Sequence, residues 1–138
     1  MRTIIAFLCL FLTVAALAGE PSDSNLQQLK NNLDQAKTQT ETNLTSKAIA
    51  DFWDAKLLRT ERKIESRLNR QEHKKFLQTK KLWQKYRSSE VSFRAGFSEG
   101  GSIQPLIANS TYSHITEHRV IELEALYTDA LAGRASPR

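Results

Sequence analysis

A small all-α bundle of three to four antiparallel helices, with a Gly-rich loop before the last helix, is predicted by three observations. Apolar residues recur at three- and four-residue steps from Leu26 to Tyr127. No alternating stretch of strand character interrupts them. The single cysteine, Cys9, lies in an apolar leader, so the chain behind it has no disulfide and depends on one thin helical core.

The leader comes first. Arg2 is followed by an apolar run from Ile4 to Ala18, and Ala16-Leu17-Ala18 ends it with the small residues a signal peptidase reads. Residues 1–18 are therefore expected to be a signal peptide cleaved after Ala18, placing the protein in the periplasm or outside the cell. A retained anchor is the rival reading, but about 15 apolar residues fall short of the roughly 20 that span a bilayer. Cys9 lies inside the run rather than just after the cleavage point, so no lipid anchor is expected. Residues 19–131 should then form one helical domain, with residues 132–138 a disordered tail.

The first helix begins at Ser24, which makes a capping box with Gln27, and carries Leu26, Leu29, Leu33, Ala36 and Leu44, fraying through Thr38 to Thr42. In the second, Ile49, Trp53, Leu57, Ile64 and Leu68 form an inward stripe while Lys56, Arg59, Arg62, Lys63 and Arg67 face water. Asn69 and Glu72 form another capping box, which starts a third helix or marks a bend. That segment presents Phe76, Leu77, Trp83, Tyr86 and Phe93, aromatics that supply much of the buried area available to so small a core. Helical character ends near Ala95 and Gly96, and Gly100-Gly101 with Pro105 marks an irregular loop. The last helix places Tyr112, Ile115, Arg119, Leu123, Leu126 and Tyr127 along one side.

Charge is unevenly placed. The net charge is +5, or +4 without Arg2. Lys56 to Arg87 holds twelve basic and three acidic residues, and the segments on either side are acidic. Antiparallel helices pairing such faces across their seams account for the block; so does contact with an anionic partner such as envelope material or an acidic protein. No nucleic-acid motif is present, and an exported chain has little call for one.

Catalytic constellations are thin. His114-Ile115-Thr116-Glu117-His118 has the spacing of an inverted zinc-peptidase motif, but only 20 residues follow His118 to supply a third ligand and a cleft. No nucleophile elbow or phosphate-binding loop occurs, and nothing calls for a metal or cofactor. The chain reads as a binding protein rather than an enzyme. Asn43-Leu44-Thr45 and Asn109-Ser110-Thr111 fit the glycosylation pattern, which matters only in a eukaryotic secretory pathway.

Five short pieces, in order, carry a resemblance: Thr38-Gln39-Thr40-Glu41-Thr42-Asn43, Asp54 with Leu57, Trp83 with Tyr86-Arg87, Gly100-Gly101-Ser102-Ile103, and Thr116 with Arg119. From about Leu33 to Leu126 the chain resembles the LprI-like lysozyme-inhibitor N-terminal domain family, small exported helical proteins of bacterial envelopes. The resemblance implies an envelope binding protein whose partner is a lysozyme or another envelope protein. Family members usually carry four cysteines, and Leu33, Thr45, Val91 and Ser110 occupy those positions here. Each lost disulfide removes about 2 to 4 kcal/mol that packing must replace. Leu58 and Glu61 also stand where the family tends to have Asn and Tyr.

Two roles remain open for the matched residues. Asp54, Trp83, Tyr86, Arg87, Thr116 and Arg119 read chiefly as structural, with Asp54, Glu41 and Glu90 as carboxylate partners for the two guanidinium forks; direct contact with a partner is the other reading. Gly100, Gly101, Ser102 and Ile103 suit either a tight interhelical turn or insertion into a narrow cleft of a partner.

Overall fold

The computed structural model describes residues 22–135, in which the chain forms α1 (Asp23–Gln35), α2 (Gln39–Glu65), α3 (Arg70–Gly96) and α4 (Gln104–Leu126), the last continuing into a π-helical turn at Tyr127–Leu131. There is no strand among the described residues. The expected signal peptide, residues 1–18, lies outside them, as do residues 136–138 of the expected tail 132–138.

Side-chain caps set three of the four starts. Ser22, not Ser24, caps α1: its backbone is extended and its hydroxyl accepts the Asn25 amide at 3.3 Å, whereas Ser24 already lies in the first turn. The segment Thr38 to Thr42 is no fraying end but a new beginning. Thr38 Oγ1 accepts the Glu41 amide at 3.2 Å, and the Glu41 carboxylate accepts the amides of Lys37 at 2.8 Å and Thr38 at 3.1 Å. Those backbone donors, Lys37 foremost, hold the Glu41 carboxyl below its ordinary range. Asn69 and Glu72 form the predicted box, and it does start a separate helix. Glu72 is also held low, first by its bond to Arg134 at 2.9 Å and then by the Asn69 amide. Pro105 sits in the first turn of α4, where its missing amide proton leaves no bond unmade.

Each helix runs antiparallel to the one before it, so α2 and α4 run parallel, and this pair makes the widest contact. Helix α1 packs on α2, and α3 packs on α4. Between α2 and α3 long side chains span the gap: Lys80 meets Glu61 at 2.7 Å and Arg87 meets Asp54 at 3.1 Å. The core comprises Leu26, Phe52, Trp53, Leu57, Ile64, Val120, Leu123 and Leu131, with Leu29, Ile49, Leu68, Phe76, Trp83 and Tyr127 packed against it. Each fully buried large side chain contributes about 1.5 to 3 kcal/mol.

The predicted stripe of α2 is in place at Trp53, Leu57 and Ile64. Two other faces differ from the periodic reading. On α4 the inward side is Ser113, Thr116, Val120 and Leu123, while Leu126 is exposed. The small residues Ser46 and Ala50 on α2 and Ser113 on α4 are buried, which lets the parallel pair approach closely without bulky apolar side chains. On α3, Leu77, Tyr86 and Phe93 are exposed and only Phe76 and Trp83 lean on the core. Helix α3 lies at the edge of the bundle, and its inner face carries Lys80, Arg87 and Ala95 instead of an aromatic row.

Candidate functional site

The loop between α3 and α4 is built to hold its shape. The Ser98 and Glu99 amides donate to the Ala95 and Gly96 carbonyls at 3.0 and 3.2 Å, and the Gly101 amide donates to Ser98 O at 3.0 Å. Gly100 has φ 74°, a conformation that a side chain makes unfavourable, and a Cβ on Gly101 would lie 3.1 Å from Ser98 O. Gly100, Gly101, Ser102 and Ile103 are all exposed.

Helix α2 clamps this loop from below. Asn43 Nδ2 donates to Ser102 O at 3.0 Å, and Gln39 Nε2 donates to Asn43 Oδ1 at 2.9 Å. Asn109 Nδ2 reaches Ser46 Oγ at 3.0 Å and Asn43 O at 3.3 Å, joining α4 to the same clamp. The Thr38–Asn43 segment thus acts as a unit: Thr38 and Glu41 start α2 in register, and one turn later Asn43 fixes the loop. Asn43 was legible only as one letter of a motif; its role depends on a residue 59 positions away.

A second constellation forms midway along the bundle. Thr116 has no exposed surface, donates to Tyr112 O at 2.6 Å and accepts from Arg87 Nη1 at 3.0 Å. The same Nη1 pairs with Asp54 Oδ1 at 3.1 Å, and Tyr112 Oη donates to that carboxylate oxygen. The guanidinium lies between two rings, 3.9 Å from the Tyr112 centroid and 4.5 Å from that of Trp83. Burial first, and then the bond to Asp54, push the Tyr112 hydroxyl up to about 12. Arg119 also lies near Trp83, 5.8 Å from its ring, with Glu122 at 3.7 Å and no partner for its buried Nε.

The structure therefore brings Asp54, Trp83, Arg87, Thr116 and Arg119 together, with Asp54 the partner of Arg87. The other proposed carboxylates serve elsewhere, Glu41 in its cap and Glu90 with Arg94 at 2.9 Å. Tyr86 stands outside the network, in a groove of about 330 Å³ between α3 and α4 that Trp83, His114, Ile115, His118 and Arg119 also line. Tyr112 joins the network unpredicted, although its place one turn before Thr116 was a usable signal. His114 and His118 stack edge-on with centroids 4.5 Å apart, and among the described residues no three His, Cys, Asp or Glu side chains are grouped to hold a metal ion. Of the four positions at which the resemblance implies cysteines, Leu33 and Ser110 line one crevice, between α1, α2 and α4.

The arrangement holds a rigid, side-chain-poor loop at one end of the bundle. The turn joining α2 to α3, with Arg62, Lys63, Arg67, Arg70, Lys74 and Lys75 on and around it, is at the other. Among the described residues no helix is long and apolar enough to cross a membrane. The family described as lysozyme inhibitor LprI matches residues 30–123, a span that includes the loop, its clamp and the Arg87 network. No curated protein and no solved structure matches the chain.

Proposed function

The chain belongs to the LprI family of lysozyme inhibitors, and from that membership we propose that it is an exported, non-enzymatic binding protein that inhibits lysozyme by presenting the Gly100–Ile103 loop to the enzyme's cleft. The family match over residues 30–123 carries this reading. Loop geometry supports it: a segment without bulky side chains enters a narrow cleft, and one already held by Asn43 and by Gly100's backbone loses little entropy on docking. Common lysozymes are strongly basic, and a chain of positive net charge is not steered to them as a whole. The bundle eases this conflict, because Glu41 and Glu99 lie at the loop end, where Glu90 is balanced by Arg94, while the basic α2–α3 turn is at the opposite end.

The test is clearance of a bacterial cell-wall suspension by lysozyme in the presence of the purified protein. Inhibition by the wild type, lost in Ser102→Trp with the helical circular-dichroism spectrum unchanged, is the expected result. No inhibition at micromolar excess overturns the proposal.

A second reading draws on a crevice of about 410 Å³ between α2 and α4, lined by Lys56, Arg59 and Lys63 with Tyr127 and one carboxylate, Glu124. It lies toward the end of the bundle opposite the loop, and its three basic side chains suit an anionic envelope component. Salt-sensitive co-sedimentation with anionic vesicles or peptidoglycan, without inhibition of lysozyme, would favour it.

A further inference from the structure

Along α3 and its C-cap, four of the exposed large apolar side chains share one face: Leu82 is 70% exposed, Tyr86 54%, Phe93 64% and Phe97 78%. At 100° per residue they fall within about 60° of one another around the helix, so they form a single strip about 22 Å long. The strip turns away from the inner face of α3 that carries Lys80, Arg87 and Ala95. Phe93 and Phe97 pack edge-to-face with centroids 5.1 Å apart, which stiffens its far end.

The order of these residues names the partner. Leu82 and Phe97 are equidistant from a midpoint between Ser89 and Glu90, and so are Tyr86 and Phe93. A surface symmetric about its own centre is what a two-fold contact requires, since residue i must meet j while j meets i. We propose that this strip is the interface of an antiparallel homodimer, in which Leu82 of one copy packs on Phe97 of the other and Tyr86 on Phe93. Ser89, small and exposed, lies at the axis and permits close approach of the two helices. Glu90 and Arg94 neutralise each other at 2.9 Å beside the centre, so no like charge is forced together there. The four side chains expose about 500 Å² per copy, the size of the largest functional patches on monomers, and flanking residues bring this toward the roughly 800 Å² per partner of a standard interface. The Gly100–Ile103 loop lies beyond Phe97, so the dimer leaves one loop free at each end.

Sedimentation equilibrium of the wild-type chain at rising concentration is expected to show the mass of two copies. Leu82→Glu and Phe93→Glu, both at exposed positions, should keep the helical spectrum and raise the dimer dissociation constant about thirtyfold or more, as loss of an apolar anchor does. Ser89→Cys in a Cys9→Ser background should form a disulfide between copies under mild oxidation. A wild type that stays monomeric at high micromolar concentration overturns the proposal, as does a dimer untouched by both charge substitutions. A monomeric wild type whose lysozyme inhibition is lost in Leu82→Glu would assign the strip to lysozyme instead.

Discussion

Replacing Arg87 by Ala tests whether the constellation around it holds the bundle together. The guanidinium makes two hydrogen bonds, to Asp54 and Thr116, and lies against the rings of Tyr112 and Trp83. Its side chain is only 11% exposed, so its stem also fills space between α2, α3 and α4. Bonds that involve a charged group contribute about 1.5 to 3 kcal/mol, and a cation against an aromatic face adds about 1 kcal/mol when partly desolvated. Asp54 is half exposed and returns to water when its partner is removed, so the loss stays below the 3 to 5 kcal/mol of a fully buried broken pair. A destabilisation of about 2 to 3 kcal/mol follows, or a fall in Tm of roughly 10 °C for a domain of this size. Urea unfolding followed by tryptophan fluorescence reads it directly, because Trp83 lies under the guanidinium and Trp53 reports the core. Arg87→Lys keeps the charge but loses the planar stack, and should recover no more than half of the loss. Paired with Thr116→Val, Arg87→Ala should show a coupling of about 1 kcal/mol in a double-mutant cycle. An Arg87→Ala protein within about 0.5 kcal/mol of the wild type would refute the structural role.

Other outcomes are also specific. Gly100→Ala forces a Cβ into a left-handed conformation and should lower stability by about 1 kcal/mol in the same unfolding assay, while Gly96→Ala, with open space at its Cβ, should not lower it. Thr38→Ala removes the acceptor for the Glu41 amide and should cost about 1 kcal/mol, with hydrogen exchange quickening first at the start of α2. The Tyr112 hydroxyl titrates higher in the folded chain than its ordinary 10, so its contribution is complete below pH 10 and disappears as the pH rises through about 12. Because Tyr112 is only partly buried, that contribution is discounted to about 1 kcal/mol, and Tyr112→Phe should flatten the alkaline limb of a stability profile. Glu41 and Glu72 are both held below 4.5, so the stability they add is present above that value and fades as the pH falls through their lowered ranges. Acid unfolding of Glu72→Gln should accordingly show a shallower pH dependence.

Much of the fold was legible because helices announce themselves locally. The inward stripe of α2 and the Asn69–Glu72 box lie within one or two turns of sequence, where spacing and capping chemistry act without help from the rest of the chain. The break at Thr38 was equally local, yet apolar steps continuing to Leu44 masked a Thr-x-x-Glu box in plain view. The inner face of α4 was not readable this way. Ser113 and Thr116 are polar, and only the close approach of the parallel α2 turns them inward ahead of Ile115 and Leu126.

For the candidate site the division is similar. The family pieces could be read in order along the chain, and they left Asp54, Glu41 and Glu90 as carboxylates open to Arg87 and Arg119; the structure pairs Asp54 with Arg87. That Thr116 and Tyr112 complete this pair, and that Asn43 holds the loop, depends on residues brought together from 29 to 59 positions apart. By itself, then, the sequence determined the helical class, the Asn69 box at which α3 starts and the family, since these rest on short-range spacing and capping. Only the tertiary structure decided which faces are buried, and it left aromatic residues of α3 in the open. Burial depends on which helices pack side by side, and here the parallel α2–α4 pair took the core while α3 was held at its edge by long polar side chains.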